Sequence, residues 1–283
     1  MLRSLMTFTI SFALLLGWLH TSSGNAAYQQ SQTGGSTKNK TQKNEKLEKL
    51  DKNQPTAEQI AESTIFVYGS RPVLEQIRRN GVERGRVTRI TSDGKSEESS
   101  YERRFVRGES MEKDKVRLDQ KNPTLEYTLV YGGGRLWGII NGAAFTPRQD
   151  AANTFLSQHR HSLDSLLRYK ENGSTLTLVG KEKQKGIDLY VIDLMDKDKQ
   201  STRYYISAKS LHVLWLEYQE PSGVGGHPIK YERKFFDYRY AQSTLVPYRI
   251  VLMEEGKQTQ ETRVSTVSFG IKLDDALFKS PEA

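Results

Sequence analysis

The sequence has no cysteine among its 283 residues. Disulfides, thiolate metal sites and the acylated cysteine of a bacterial lipoprotein are therefore excluded, and an oxidising compartment is permitted but not exploited. A long apolar run is missing too: residues 8–19, broken by Thr9, Ser11 and Gly17, fall short of the ~20 residues that span hydrocarbon as a helix. Histidine is sparse, five in all, which narrows the search for acid–base or metal chemistry to His159, His161, His212 and His227 once the N-terminal His20 is set aside. His159 and His161 stand two apart on a predicted helix, on different faces, and so do not make a ligand pair. His159 falls on the apolar face and reads as a core residue.

Other patterns that carry chemistry are incomplete. Ser157, His161 and Asp164 have the residue types of a hydrolase triad without the strand–turn–helix elbow that exposes such a nucleophile. Gly132, Gly133 and Gly134 precede a strand rather than a helix, so they read as a hairpin turn and not a phosphate cradle. Gly223, Gly225 and Gly226 lie in a loop, residues 221–228, where Pro228 occupies the place of a dinucleotide fingerprint's third glycine; a loop at the mouth of the sheet is expected. Asp193, Asp196 and Asp198 are interrupted by Lys197 and Lys199 and lack the glycine of a calcium loop, and read as a solvated hairpin. No catalytic residue, cofactor or metal site is assigned, and a non-enzymatic protein is expected.

The net charge of +8 also loses its first meaning when it is located. Arg3 belongs to the N-terminal segment, and residues 28–54 hold six lysines against three acids, leaving +4 interleaved over residues 55–283. That is no basic stripe, and nucleic acid is not an expected partner. Arg3, the apolar run 8–19 and the small residues Ser22, Ser23, Gly24, Ala26 and Ala27 follow the order of a secretory signal; cleavage after about residue 27 is expected, with an uncleaved anchor as the alternative. Export to the periplasm or beyond follows from that expectation. Residues 28–54, rich in Gln, Ser, Thr, Gly, Asn and Lys, cannot bury enough apolar surface to fold and read as a flexible tether.

From residue 55 onward the pattern is that of one domain. Thr56 with Gln59 forms a capping box, an apolar spacing follows to Tyr68, Gly69 closes the helix, and a second short helix is predicted over 73–79. Period-2 alternation then marks strands, most clearly at 125–131, where Leu125, Tyr127, Leu129 and Tyr131 share one face. Thr146, Pro147 and Gln149 signal another helix start, with one buried face running to about Tyr169. More strands follow to residue 269. The order predicts an α+β domain, mainly antiparallel β: an unclosed half-barrel of about 11 strands whose helices cover the concave face, because twist accumulates across so many strands. Arg103 and Arg104 put charge on both faces of one strand, which argues against a membrane barrel.

Several phrases in this domain resemble the LolA-like family, the periplasmic lipoprotein carriers and related outer-membrane lipoprotein-sorting proteins. They are the leader helix running into Tyr68-Gly69-Ser70-Arg71, the strand, glycine turn and Leu-Trp between Glu126 and Trp137, and Tyr204-Tyr205-Ile206-Ser207-Ala208-Lys209-Ser210-Leu211. The strongest is the ending: Val246-Pro247-Tyr248-Arg249-Ile250, a hairpin about Gly256, then Leu273-Asp274-Asp275-Ala276-Leu277-Phe278 before Pro281. The resemblance spans residues 55–281 and implies a cavity for acyl chains or another hydrophobic ligand. The tether and the charged surface depart from the family pattern.

The aromatic and aliphatic strand positions nominated to line such a cavity are Leu125, Tyr127, Leu129, Tyr131, Trp137, Ile139, Leu189, Val191, Trp215 and Phe235; an ordinary filled core is the competing reading for them. The expected function is binding of a lipid, acyl chain or other hydrophobic ligand by a monomer, in the manner of lipoprotein sorting, with a periplasmic or envelope protein as a further candidate partner. The alternative is a sensor or interaction module on the same fold.

Overall fold

The chain enters its first helix through the capping box read from the sequence. The Thr56 hydroxyl accepts from the Gln59 amide at 3.2 Å, and the Gln59 side chain accepts from the Thr56 amide at 2.9 Å. Helix α1 (Ala57–Tyr68) buries Ile60, Ala61, Thr64, Ile65 and Tyr68 along one face. It ends at Gly69, with φ 136°, where a Cβ would come within 3.2 Å of the Ser243 carbonyl oxygen. Helix α2 (Arg71–Ile77) follows directly. This computed structural model describes residues 54–91, 93–221 and 226–279. The leader, residues 28–53 of the tether, Gly223, Gly225 and Pro281 lie outside the described residues.

Thirteen strands follow, six before the remaining helices and seven after them. The first group is β1 (Asn80–Ile90), β2 (Ser96–Val106), β3 (Lys115–Lys121), β4 (Glu126–Gly132), β5 (Arg135–Ile140) and β6 (Ala143–Phe145). Helices α3 (Gln149–Arg160) and α4 (Leu163–Leu167) lead into β7 (Thr175–Gln184), β8 (Ile187–Met195), β9 (Ser201–Ser207) and β10 (Val213–Glu220). The chain then runs through β11 (Ile229–Ala241), β12 (Thr244–Glu254) and β13 (Lys257–Phe269). They form one antiparallel sheet in the order β6-β5-β4-β3-β2-β1-β13-β12-β11-β10-β9-β8-β7. Each group is a meander, and the last strand returns to pair with the first. Strands β6 and β7 are the unpaired edges, so the curled sheet is an open half-barrel. The link from one edge to the other is α3–α4, which is why those helices cross the concave face.

Three sequence expectations are corrected. The strand count is thirteen rather than about 11; β6 has three residues, too few to display alternation. The single helix expected over 146–169 is two, because the chain breaks at His161 and Ser162, where the Ser162 hydroxyl accepts from the Ser165 amide at 3.3 Å and starts α4 anew. The cap at Thr146 is not used either: Pro147 is buried ahead of the helix, and Arg148 stands at the N-cap, where its side chain pairs with Asp150 rather than capping a helix amide. The glycine turn does form a hairpin, with Gly133 and Gly134 at φ 58° and 74°, the left-handed pair that a type I′ turn requires.

One half of the concave face is packed solid. Ile60, Ala61, Ile65 and Tyr68 of α1 and Leu166 and Leu167 of α4 meet Ile192, Tyr204, Ile206 and Leu216 of β8, β9 and β10 in one buried cluster. The tyrosine hydroxyls inside it are satisfied by each other and by Val213: the Val213 amide donates to the Tyr68 hydroxyl (3.2 Å), which donates to the Tyr238 hydroxyl (2.9 Å), which donates to the Val213 carbonyl (2.5 Å).

Candidate functional site

The other half of the concave face, built on β1–β3 and β11–β13, leaves a hollow of about 260 Å³ beneath α3 and the start of α4. Its roof is Phe155, Gln158 and His159 of α3 with Leu163 and Asp164 of α4; its floor includes Val87, Tyr101, Leu118, Phe235, Ile250 and Leu252. Alternation explains the apolar floor, since residues two apart on each strand return to the same side. A larger, open groove of about 790 Å³ lies between the start of α1 and Tyr190, Ala208 and Leu211. It is an open surface depression, and the hollow under α3 is the better candidate because helices roof it and apolar strand side chains floor much of it.

The roof is held unevenly. Helix α4 buries Leu163, Ser165, Leu166 and Leu167, and the Arg168 guanidinium at its end clasps Asp114 at 2.9 Å. Helix α3 buries no residue. Phe155 packs on the apolar cluster around Tyr131, and the remaining attachments are polar: the Ser157 hydroxyl donates to Glu220 (2.5 Å), Arg233 donates to the carbonyls of Gln158 and His161 (2.8 Å each), and Arg160 reaches Asp196 (3.3 Å) and Asp198 (3.1 Å). The acidic hairpin thus anchors the helix, while Asp193 pairs with Arg203 at 2.7 Å. His159 lies with its Nε2 3.2 Å from the Met111 carbonyl and its ring 5.4 Å from Tyr131; burial lowers its pKa. His161, 1% exposed, sits with Nδ1 2.6 Å from the Thr202 hydroxyl and stacks on Tyr218 at 4.2 Å. Burial brings its pKa down to about 3, with Arg160 and Arg233 adding repulsion. Ser157 and His161 both face Glu220, whereas Asp164 is bound to Arg107 at 2.6 Å and Arg78 at 3.3 Å; the three do not form a relay.

The hollow is amphipathic. Arg78, Arg89, Arg103 and Arg233 border it together with Glu83 and Asp164. Burial alone would raise the Asp164 carboxyl, but Arg107, Arg78, Arg103 and Arg168 outweigh it and hold that group well below the ordinary carboxylate range. Glu83 accepts from the Tyr101 hydroxyl at 2.8 Å.

Of the ten positions nominated from the sequence, Phe235 borders the hollow. Tyr131 lies beneath α3, 6.2 Å from Phe155 between ring centres. Leu129 pairs with Leu118 and Tyr127 with Gln120, so both share the hollow's face one strand farther out. Leu125 precedes β4 and is 39% exposed. The remaining five are on the opposite face. Val130 pairs with Trp137 and Thr128 with Ile139, out of phase with Tyr131. Val191 pairs with Tyr205 while its neighbour Ile192 is in the core under α1; Leu189, Val191, Tyr205 and Trp215 form a separate cluster, with the Tyr205 and Trp215 rings stacked at 4.4 Å. Alternation within one strand gives two faces but not which of them the helices cover; register across strands decides that. The bordering arginines were missed as site residues, although Arg103 at an inward position was the signal.

No family model matches the sequence, and no curated protein matches it. Solved structures do match. The chain is similar to a LolA superfamily protein from Nitrosomonas europaea, at 14% identity over 81% of this chain and 100% of that one, with a TM-score of 0.57. It is similar to a DUF1329 family protein from Desulfovibrio piger, at 12% identity over 80% of this chain and 98% of that one, TM-score 0.57. A putative outer membrane lipoprotein-sorting protein domain from Vibrio parahaemolyticus matches at 12% identity over 77% of this chain and 97% of that one, TM-score 0.53. The protein therefore has a LolA-like fold. Among the described residues no helix is long and apolar enough to cross a membrane.

Proposed function

We propose that the protein is a non-enzymatic binder of a single-chain hydrophobic or amphipathic ligand, held in the hollow beneath α3 and carried outside the cytoplasm. The observation that supports this reading is the contrast within one concave face: solid packing under α1, and about 260 Å³ of space under a helix that buries none of its own residues. Transfer of apolar surface from water into such a space is favourable by roughly 25 cal/mol per Å². The volume lies just below the ~300–1,000 Å³ of ordinary small-molecule sites. It suits one chain; the several acyl chains of a lipoprotein would require α3 to lift. Export follows from the N-terminal signal pattern, and the printed names of the structural neighbours, a LolA superfamily protein and a lipoprotein-sorting domain, fit a carrier of apolar cargo.

The test is mass spectrometry of lipid co-purified with the protein, followed by titration with a fluorescent fatty acid. Stoichiometric binding is expected. A protein that emerges empty and binds no fatty acid at micromolar concentration would refute the reading.

A further inference from the structure

The hollow's charge is out of balance. Four arginines border it against two carboxylates, and both carboxylates are engaged: Asp164 by Arg107 and Arg78, and Glu83 by the Tyr101 hydroxyl. Arg78 is only 8% exposed. Its Nη2 reaches Asp164, but its Nε and Nη1 make no hydrogen bond and are out of reach of water. Its charge rests over the Phe269 ring at 5.3 Å. Arg103 pairs with no carboxylate among the described residues; its guanidinium packs over Phe105 at 4.9 Å. Arg78, Arg103, Arg233 and Asp164 all border the hollow, so these groups form one cluster there.

Arg103 has no anion at all among the described residues, and Arg78 has one of its three nitrogens paired; partly matched guanidinium groups are costly where water is scarce, and a purely apolar cargo would leave them so. A carboxylate or phosphate would form charge-assisted hydrogen bonds with them, and Arg suits both anions through its planar fork. Building on the reading of the hollow as a one-chain ligand site, we propose that its ligand is an anionic amphiphile. A carboxylate or phosphate head is held at Arg103, with the charges of Arg78 and Arg233 behind it, and the chain lies along Leu118, Ile250 and Leu252.

The experiment measures equilibrium binding of decanoate, decyl phosphate, decanol, decyltrimethylammonium and inorganic phosphate to the purified protein at pH 7.5, all below their aggregation limits. Both anionic amphiphiles are expected to bind at least about tenfold more tightly than decanol, the scale of one charge-assisted hydrogen bond, and the cation more weakly than decanol. Arg103→Gln, which breaks no ion pair, should lower affinity for the two anions about tenfold and leave decanol unchanged. Arg103→Lys should retain part of the preference. Decanol binding as tightly as decanoate, or Arg103→Gln weakening both alike, overturns the anionic head while leaving the one-chain reading standing. Inorganic phosphate binding as tightly as decyl phosphate overturns it in favour of a free-anion site. No binding of any amphiphile refutes the one-chain reading itself.

Discussion

The two halves of the concave face are made from the same kind of strand, yet one is filled and the other is hollow. Under α1 and α4, the sheet presents Ile192, Tyr204, Ile206 and Leu216, and the helices return Ile65, Leu166 and Leu167 in kind. Under α3 the sheet presents Arg103, Arg233, Ile250 and Leu252, and the roof returns Gln158, His159 and Asp164 beside Phe155. The difference lies in the helices. A helix with a continuous apolar face closes on the sheet to crystal-like density, whereas one that fully buries none of its residues, touching the sheet through Phe155 and held by polar bonds at its rim, leaves space beneath it. Stability belongs to the first half and the proposed ligand site to the second.

The largest expected break in this arrangement is Asp164→Ala. Asp164 is the anion shared by Arg107 and Arg78 at the join between the halves, and removing it leaves two guanidinium groups uncompensated. A loss of about 4 kcal/mol in urea unfolding is expected. Next comes Leu216→Ala, a fully buried position in the filled half, which should cost about 3 kcal/mol through lost burial and an unfilled cavity. If Leu216→Ala instead cost under about 1 kcal/mol, the solid half would not be solid.

The pH dependence comes third. His161 sits where α3 hands over to α4, between Thr202, Tyr218, Glu220, Arg160 and Arg233. It is neutral in the fold because burial takes its pKa down to about 3, while the unfolded chain takes up that proton near ~6.5. The unfolded state therefore binds more protons below ~6.5, and stability falls as pH falls. About 2 kcal/mol should be lost between pH ~6.5 and ~5, and His161→Gln, which keeps a polar partner for Thr202, should flatten that slope. An unchanged slope in the variant would show that the handover is not where acid acts.

Much of this fold was legible in the sequence, and the reason is local. The Thr56–Gln59 box, the Gly133-Gly134 turn and the period-2 runs are each fixed by neighbours a few residues apart, so the antiparallel half-barrel with helices over one face could be read directly. The hollow could not, because its making is long-range. Trp137 and Trp215 are cavity candidates by their aromatic rings alone, but the pairings of Val130 with Trp137 and of Tyr205 with Trp215 turn both away from the helices. The break at His161-Ser162 was hidden by an apolar spacing that continues through it from Phe155 to Leu167. In the sequence Arg103 is a charge that argues against a membrane barrel; that the same side chain faces a roof carrying Asp164, some sixty residues on, depends on α3–α4 crossing from edge to edge.

The smallest expected effect on stability separates the halves most cleanly. Leu252 pairs with Arg233 and Gln260 on the hollow's floor and is only partly buried. Enlarging it to Phe puts new atoms into empty space, so Leu252→Phe should shift unfolding by less than about 1 kcal/mol, whereas Leu216→Phe in the filled half should cost about 2 kcal/mol by overpacking. Space taken by the ring is space lost to a ligand, and affinity for a fluorescent fatty acid should fall although the fold is intact. Should Leu252→Phe destabilise as much as Leu216→Phe, the floor would be packed like the rest of the core. The contrast between the halves would then reduce to a difference in side-chain polarity rather than in empty volume.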